Sequence, residues 1–203
     1  MTTVEIQIIV YGSCSRDPEN DDRYGADQRR VEILLNPILP ADATTMPKKH
    51  KWLQEYLRNL PPDMKHNRNW RCEFCKVHAR ETVWMNSSWM HLTPPRALSY
   101  VHHVCNAAVG PCAENVRAID AEMARMNNLP PTFSIPARDL DITFPMSASC
   151  AVCHDESEKS RKHLKQCAKC ELTRYCSVDC QREDWSRHKI CCKSLKEVKW
   201  HWT

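Results

Sequence analysis

Apolar and polar residues alternate from Val4 to Val10, with Val4, Ile6, Ile8 and Val10 on one face and Glu5 and Gln7 on the other, the period of a half-buried strand. Val31 to Leu35 has the same character and is expected to pair with it. The polar stretch from Arg16 to Arg30 then becomes a hairpin loop longer than the usual turn. Its acids Asp17, Glu19, Asp21 and Asp22 lack the regular spacing of a calcium loop and read as a solvated turn. Asn36 to Pro40 reads as an extended surface loop.

The period changes at Pro47, which suits a first helical turn because its missing N–H would have no partner there. Trp52, Leu53, Tyr56, Leu57 and Leu60 form the apolar face that follows, with Trp52 and Tyr56 expected in the core, and Pro61-Pro62 stops the run. Short strands are expected at Thr82 to Met85 and Tyr100 to Cys105, on either side of Pro94-Pro95. A helix begins near Cys112, carries Val116, Ile119, Met123 and Met126 as its stripe, and ends by Asn127-Asn128 before Pro130-Pro131. Ser134 to Ser149 has no helical stripe and reads as an extended connector, with Phe144 as a possible docking residue. The charged stretch between Cys153 and Cys167 reads as a solvated loop. From Asp179 to Lys189 the pattern is helical again, and Ser177 is placed to cap it.

The chain holds 203 residues with 13 Cys and only 3 Gly, so turns fall to Pro, Asn, Asp and metal-bound knuckles. No secretory signal is evident, and no apolar run reaches the length of a membrane span. A reducing compartment is therefore expected, nucleus or cytoplasm, with cysteines serving metal rather than disulfides. Eight candidate ligands lie in four pairs: Cys150-x2-Cys153, Cys167-x2-Cys170, Cys176-x3-Cys180 and His188-x3-Cys192. Zinc takes four such ligands, so four pairs imply two ions. Spacing alone leaves sequential and interleaved pairing both open.

The residues Cys167-Ala168-Lys169-Cys170, Arg174-Tyr175-Cys176-Ser177-Val178-Asp179-Cys180-Gln181, Asp184-Trp185, His188-Lys189 and Cys192 resemble the MYND zinc fingers, and the likeness runs from Cys150 to Cys192. It implies a cross-braced finger in which Cys150, Cys153, Cys176 and Cys180 hold one zinc and Cys167, Cys170, His188 and Cys192 the other. Cys191 is one residue short of the family register and is the weaker ligand candidate. The likeness also implies a shallow groove for proline-rich peptides of PxLxP type, where Trp185 offers an aromatic face and Gln181 bonds to the peptide backbone. A polyproline segment is already extended and loses little entropy on binding. The proline segments Leu60-Pro61-Pro62 and Leu129-Pro130-Pro131 could compete for that groove, and Trp200 and Trp202 could fill it, pack back against the finger or form an exposed partner-binding tail.

Upstream, Cys72-x2-Cys75, Cys105 and Cys112 follow the order knuckle, hairpin, ligand at a helix start, which resembles a treble-clef zinc site in outline. A third Zn2+ is expected there. Its helix start favours the Cys112 thiolate through the dipole and the unpaired amides. His78, His102 and His103 are competing ligands. His102 and His103 would face opposite sides of a strand, so at most one of them could reach the metal.

The formal charge of +4 would suggest nucleic acid. Three Zn2+ add six positive charges and eleven thiolates remove eleven, so +4 becomes −1 and that argument loses its footing. Nucleic-acid binding through the tail lysines Lys193, Lys196 and Lys199 remains the second reading. A zinc enzyme is the third, with Glu81 or Glu114 as acid or base. The sequence has no HExxH pair, no deaminase pattern and no phosphate-binding glycine loop, and four-cysteine ligation leaves no open metal position. The expected architecture is a small mixed α/β zinc-stabilised protein. It comprises an N-terminal α+β module over 1–133, a connector over 134–149, the finger over 150–192 and a basic Trp-containing tail over 193–203. Its expected role is a non-enzymatic adaptor.

Overall fold

The computed structural model describes residues 2–13, 29–128 and 142–201. The alternating segment forms β1 (Glu5–Tyr11), and β2 (Val31–Leu35) pairs antiparallel with it in the register Ile6–Leu35, Ile8–Ile33, Val10–Val31. The other edge of β1 runs parallel to β4 (Arg96–Val104), which forms an antiparallel hairpin with β3 (Glu81–Trp89). Both hairpin strands extend past their β-branched seeds because the polar positions also pair. The Ser99 hydroxyl, for example, donates to Asn86 Oδ1 across the ladder at 2.7 Å.

The inner face carries Val4, Ile6, Ile8, Val10, Val31, Ile33 and Leu35, all fully buried. Two helices cover it: α1 (Met46–Arg58), with proline in its first turn, and α2 (Pro61–Lys65). Pro61-Pro62 therefore does more than stop α1. Proline is tolerated at a helix start, and the pair opens α2, which buries Asp63 and Met64. The outer face near the hairpin packs Val83, Met85 and Val104 against Val116 and Cys112 of α3 (Pro111–Met126). Ile119 and Met123 join that cluster, but Met126, the last residue of the expected stripe and of α3, is 76 % exposed.

The C-terminal region contains α4 (Glu158–Lys162), a short hairpin of β5 (Lys165–Gln166) and β6 (Arg174–Tyr175), and α5 (Val178–Ser194). The charged stretch expected as plain loop thus holds one helical turn, nucleated by Ser157, whose side chain accepts from the Ser160 amide. The expected tail also differs. Leu195–Trp200 is β7, which pairs antiparallel with β2 and completes the sheet order β3-β4-β1-β2-β7. Leu195, Val198 and Trp200 pack on the main core, with an irregularity in the pairing opposite Leu34 and Leu35 between the first two, while Arg68 lies 4.2 Å over the Trp200 ring. With its apolar residues three and then two apart, the segment shows no strand period in the sequence.

Cys150, Cys167, Leu172, Tyr175 and Cys192 share one buried cluster with Val4, Ile6 and Ile8. The described end of the expected connector is held down: the Ser147 amide donates to the Ala79 carbonyl at 2.9 Å and Arg80 donates to the Phe144 carbonyl at 2.7 Å. Residues 134–141, the acidic segment 17–22, Leu129-Pro130-Pro131 and Trp202 lie outside the described residues.

Candidate metal centres and groove

Three groups of four donors are brought together: Cys72, Cys75, Cys105 and Cys112; Cys150, Cys153, Cys176 and Cys180; and Cys167, Cys170, His188 and Cys192. Within each, the ligand atoms lie within 4.8 Å of one another. A zinc–sulfur tetrahedron with bonds of about 2.3 Å has edges of about 3.8 Å, against about 2.05 Å for a disulfide. The Sγ–Sγ separations are 3.6 Å for Cys75–Cys105, 3.5 Å for Cys153–Cys176, 3.5 Å for Cys176–Cys180 and 4.0 Å for Cys167–Cys192. The donor sets fit tetrahedral Zn2+, and their four cysteines or three cysteines and a histidine are the soft set that zinc selects.

Local backbone builds each centre. In the upstream one, Lys76 takes a left-handed φ of 61° and its amide donates to the Cys72 carbonyl, which folds the Cys72–Cys75 knuckle. The hairpin delivers Cys105 and the first turn of α3 delivers Cys112. His102 instead donates from Nδ1 to Glu73 at 2.8 Å, and His103 stacks on Trp70 with ring centres 4.5 Å apart, and neither joins the group of sulfurs. His78 is also outside the cluster. The helix start does not ionise Cys112 unaided: burial, then the sulfurs of Cys75, Cys72 and Cys105, push its thiol up. Crowding acts similarly in the other centres, where burial and neighbouring sulfurs push Cys176 and Cys192 up to about 12. A divalent cation reverses that repulsion, which couples metal binding to proton release.

The two C-terminal centres interleave. Left-handed residues His154 and Glu171 shape the Cys150–Cys153 and Cys167–Cys170 knuckles. Ser177 caps α5 by accepting from the Cys180 amide at 3.2 Å, and that helix carries Cys180 to one centre and His188 and Cys192 to the other. Cys191 is fully buried outside both sets, and burial, with Asp63 as the next cause, holds its thiol well above the ordinary range.

Sequence reasoning missed the partner of the histidine ligand. His188 points Nε2 at Cys170 Sγ, 3.5 Å away, and its Nδ1 donates to Asp63 Oδ1 at 2.6 Å. Such a carboxylate fixes the ring tautomer and orientation of a ligand histidine. Burial opposes the His188 imidazolium, but Asp63 and Cys170 outweigh it and raise the ring to about 11. Thr173 also donates to Asp63, and Arg187 pairs with it at 2.6 Å, so a completely buried carboxylate is satisfied from three sides. The available signal was an acid set among Leu60, Pro61, Pro62 and Met64, which a purely apolar helix start would not contain.

Gln181 and Trp185 stand one turn apart on α5 and open onto a groove of about 380 Å³ whose other walls include Gln166, Lys169, Tyr175 and Val178. Trp185 is 40 % exposed while its ring lies 6.0 Å from that of His188, so it both covers the metal centre and presents a face to solvent. Of the expected competitors, Leu60 is buried and Pro61-Pro62 are built into α2, while Trp200 lies in β7 and does not line the groove.

Residues 150–192 match the family model for the MYND finger, and their donors form the paired clusters described above. This region is a MYND finger. The chain is 37 % identical over 54 residues, 27 % of its length and 10 % of the relative's, to the SET domain and MYND-type zinc finger protein 6 of Schizosaccharomyces pombe. It is 62 % identical over 30 residues to Tudor domain-containing protein 1 of Oryzias latipes, covering 15 % of this chain and 3 % of that one. It is 34 % identical over 71 residues to the N-lysine methyltransferase SMYD2 of Bos taurus, covering 34 % and 16 %. The matches therefore span at most 16 % of the length of these three relatives. No solved structure matches the chain significantly. No described helix is long and apolar enough to cross a membrane.

Proposed function

We propose that the chain is a non-enzymatic zinc-binding adaptor whose MYND finger receives a proline-containing peptide of PxLxP type. One observation carries the reading: Trp185 and Gln181 open together onto the same groove. The half-exposed indole supplies a flat apolar surface for proline rings, and the Gln181 amide one turn away can both donate to and accept from an extended backbone. Four protein donors at every metal centre support a structural rather than a catalytic role for zinc. On this reading the finger is cross-braced and the upstream centre is treble-clef-like. Free cysteines held at metal-binding spacing suit the reducing nucleus or cytoplasm.

The test is titration of the full-length, zinc-loaded protein with a fluorescent peptide carrying a PxLxP core. Binding by the wild type is expected, with roughly thirtyfold weakening in Trp185→Ala, as for a central aromatic anchor. Equal affinity in wild type, Trp185→Ala and Gln181→Ala, at unchanged zinc content, removes the groove assignment.

A further inference from the structure

The two metal centres of the finger differ in how far solvent reaches their sulfurs. Cys167, Cys170, His188 and Cys192 form the inner centre, each at most 3 % exposed, with the Trp185 ring 6.0 Å from that of His188. The outer centre is open on one side: Cys150 is buried, Cys176 and Cys180 are partly exposed, and Cys153 is exposed. The Cys153 and Cys176 sulfurs lie 3.5 Å apart, about 1.5 Å beyond disulfide length. Cys176 also lines the groove onto which Gln181 and Trp185 open. One residue thus belongs both to a solvent-facing metal centre and to the binding face.

We propose that the outer centre is a hydroperoxide-sensitive switch on the groove, in which Cys153 bonds to Cys176 while the inner centre stays closed. The effect on peptide binding rests on the groove reading; the sulfur chemistry does not. Cys153 attacks first because it is the one exposed cysteine among the finger's donors, and access selects the thiolate that meets an oxidant. Cys150 is buried, and its sulfur accepts from the Cys176 amide at 3.4 Å. The Cys153 sulfur bonds to one peroxide oxygen, the O–O bond breaks, and the departing hydroxide takes a proton from solvent to become water. The Cys176 thiolate then bonds to the sulfenic sulfur, the S–O bond breaks, and a second hydroxide leaves and becomes water in the same way. Two thiolates lose two electrons, and the peroxide gains them as two waters.

Only Cys150 and Cys180 remain as donors at the outer centre, too few for tetrahedral Zn2+. The rest of the finger stays docked, because Asp63 of α2 holds His188, and Cys167, Cys170 and Cys192 belong to the main core. The change is therefore confined to the groove wall around Cys176, and a dithiol that reduces the bond restores both donors. Upstream, Cys75 and Cys105 form a similar open pair at 3.6 Å, but neither lines the groove. Released zinc alone does not identify the centre, so the bond itself is mapped.

The test treats the zinc-loaded full-length protein with hydrogen peroxide and follows zinc release with a chromophoric chelator against an untreated sample. Remaining thiols are alkylated, disulfides are mapped by mass spectrometry, and a PxLxP peptide is titrated before and after. The expected result is a Cys153–Cys176 disulfide that forms in step with zinc loss, while Cys167, Cys170 and Cys192 resist alkylation until the protein is unfolded. Peptide affinity should fall at least about tenfold and return after treatment with a dithiol and Zn2+. Three results overturn the proposal: no disulfide that contains both Cys153 and Cys176, oxidation of the inner sulfurs as fast as Cys153, or the expected disulfide with unchanged peptide affinity. If the untreated protein binds no PxLxP peptide, the groove reading fails, while the disulfide map and the zinc count still decide the chemistry at the outer centre.

Discussion

Asp63 Oδ1 lies 2.6 Å from His188 Nδ1, joining residues 125 positions apart in sequence. The metal centre of the finger is thus oriented by a side chain from α2, outside the finger itself. His66, in the same segment, adds to the join by donating from Nδ1 to the Ser149 carbonyl, and Arg174 donates back to the His66 carbonyl.

Asp63→Asn should weaken zinc at the His188 centre about ten- to hundredfold, the usual cost of losing an orienting carboxylate. Competition with a chromophoric chelator should show one of three ions released early. Simultaneous weakening of all three would argue that Asp63 acts on global stability instead.

The adjacent cysteines should separate cleanly. Cys192→Ser is expected to lower zinc content from three ions to two, because it removes a donor. Cys191→Ala should keep all three and lose about 1 kcal/mol through a small buried void. Metal analysis of the two purified variants distinguishes ligand from neighbour.

Truncation after Ser194 removes β7 and uncovers the edge of β2. Partial burial of Leu195, Val198 and Trp200 makes a loss of about 2–4 kcal/mol reasonable. Urea unfolding measures it, and an unchanged midpoint would mean that the strand contributes nothing to the core.

Burial is the largest cause holding His66 down, to about 3, with the Lys65 charge acting the same way. The unfolded chain, with an ordinary value of about 6.5, binds the proton first, so this residue's contribution is present above pH ~6.5 and is lost as pH falls toward ~3. The slope is about 1.4 kcal/mol per pH unit across that window. His66→Gln should therefore lose less stability than the wild type between pH 7 and pH 5, although it is less stable at pH 7. The difference between the two proteins' unfolding curves cancels the acid sensitivity of the metal centres, which both share.

Trp185→Ala should change stability by less than about 1 kcal/mol, since the side chain is 40 % exposed. Unfolding monitored alongside peptide titration would show whether the indole serves the groove or the metal core. A large loss of stability would favour the core.

Ligand identity was legible because zinc chemistry is local: a CxxC knuckle closes within four residues, so Cys72, Cys75, Cys150 and Cys167 declare themselves in the chain. The alternation of Val4 to Val10 and the stripe of α1 were legible for the same reason, since each is set by neighbours one turn or one pleat away. The partner of Asp63 and the strand character of Leu195–Trp200 depend on segments more than a hundred residues apart. A lone acid or a six-residue basic stretch carries no period strong enough to reveal its partner. The sequence by itself determined the donors, the finger and the main strands and helices. Only the tertiary structure decided that finger and sheet share one core, because burial and strand pairing across long separations are properties of the assembled fold.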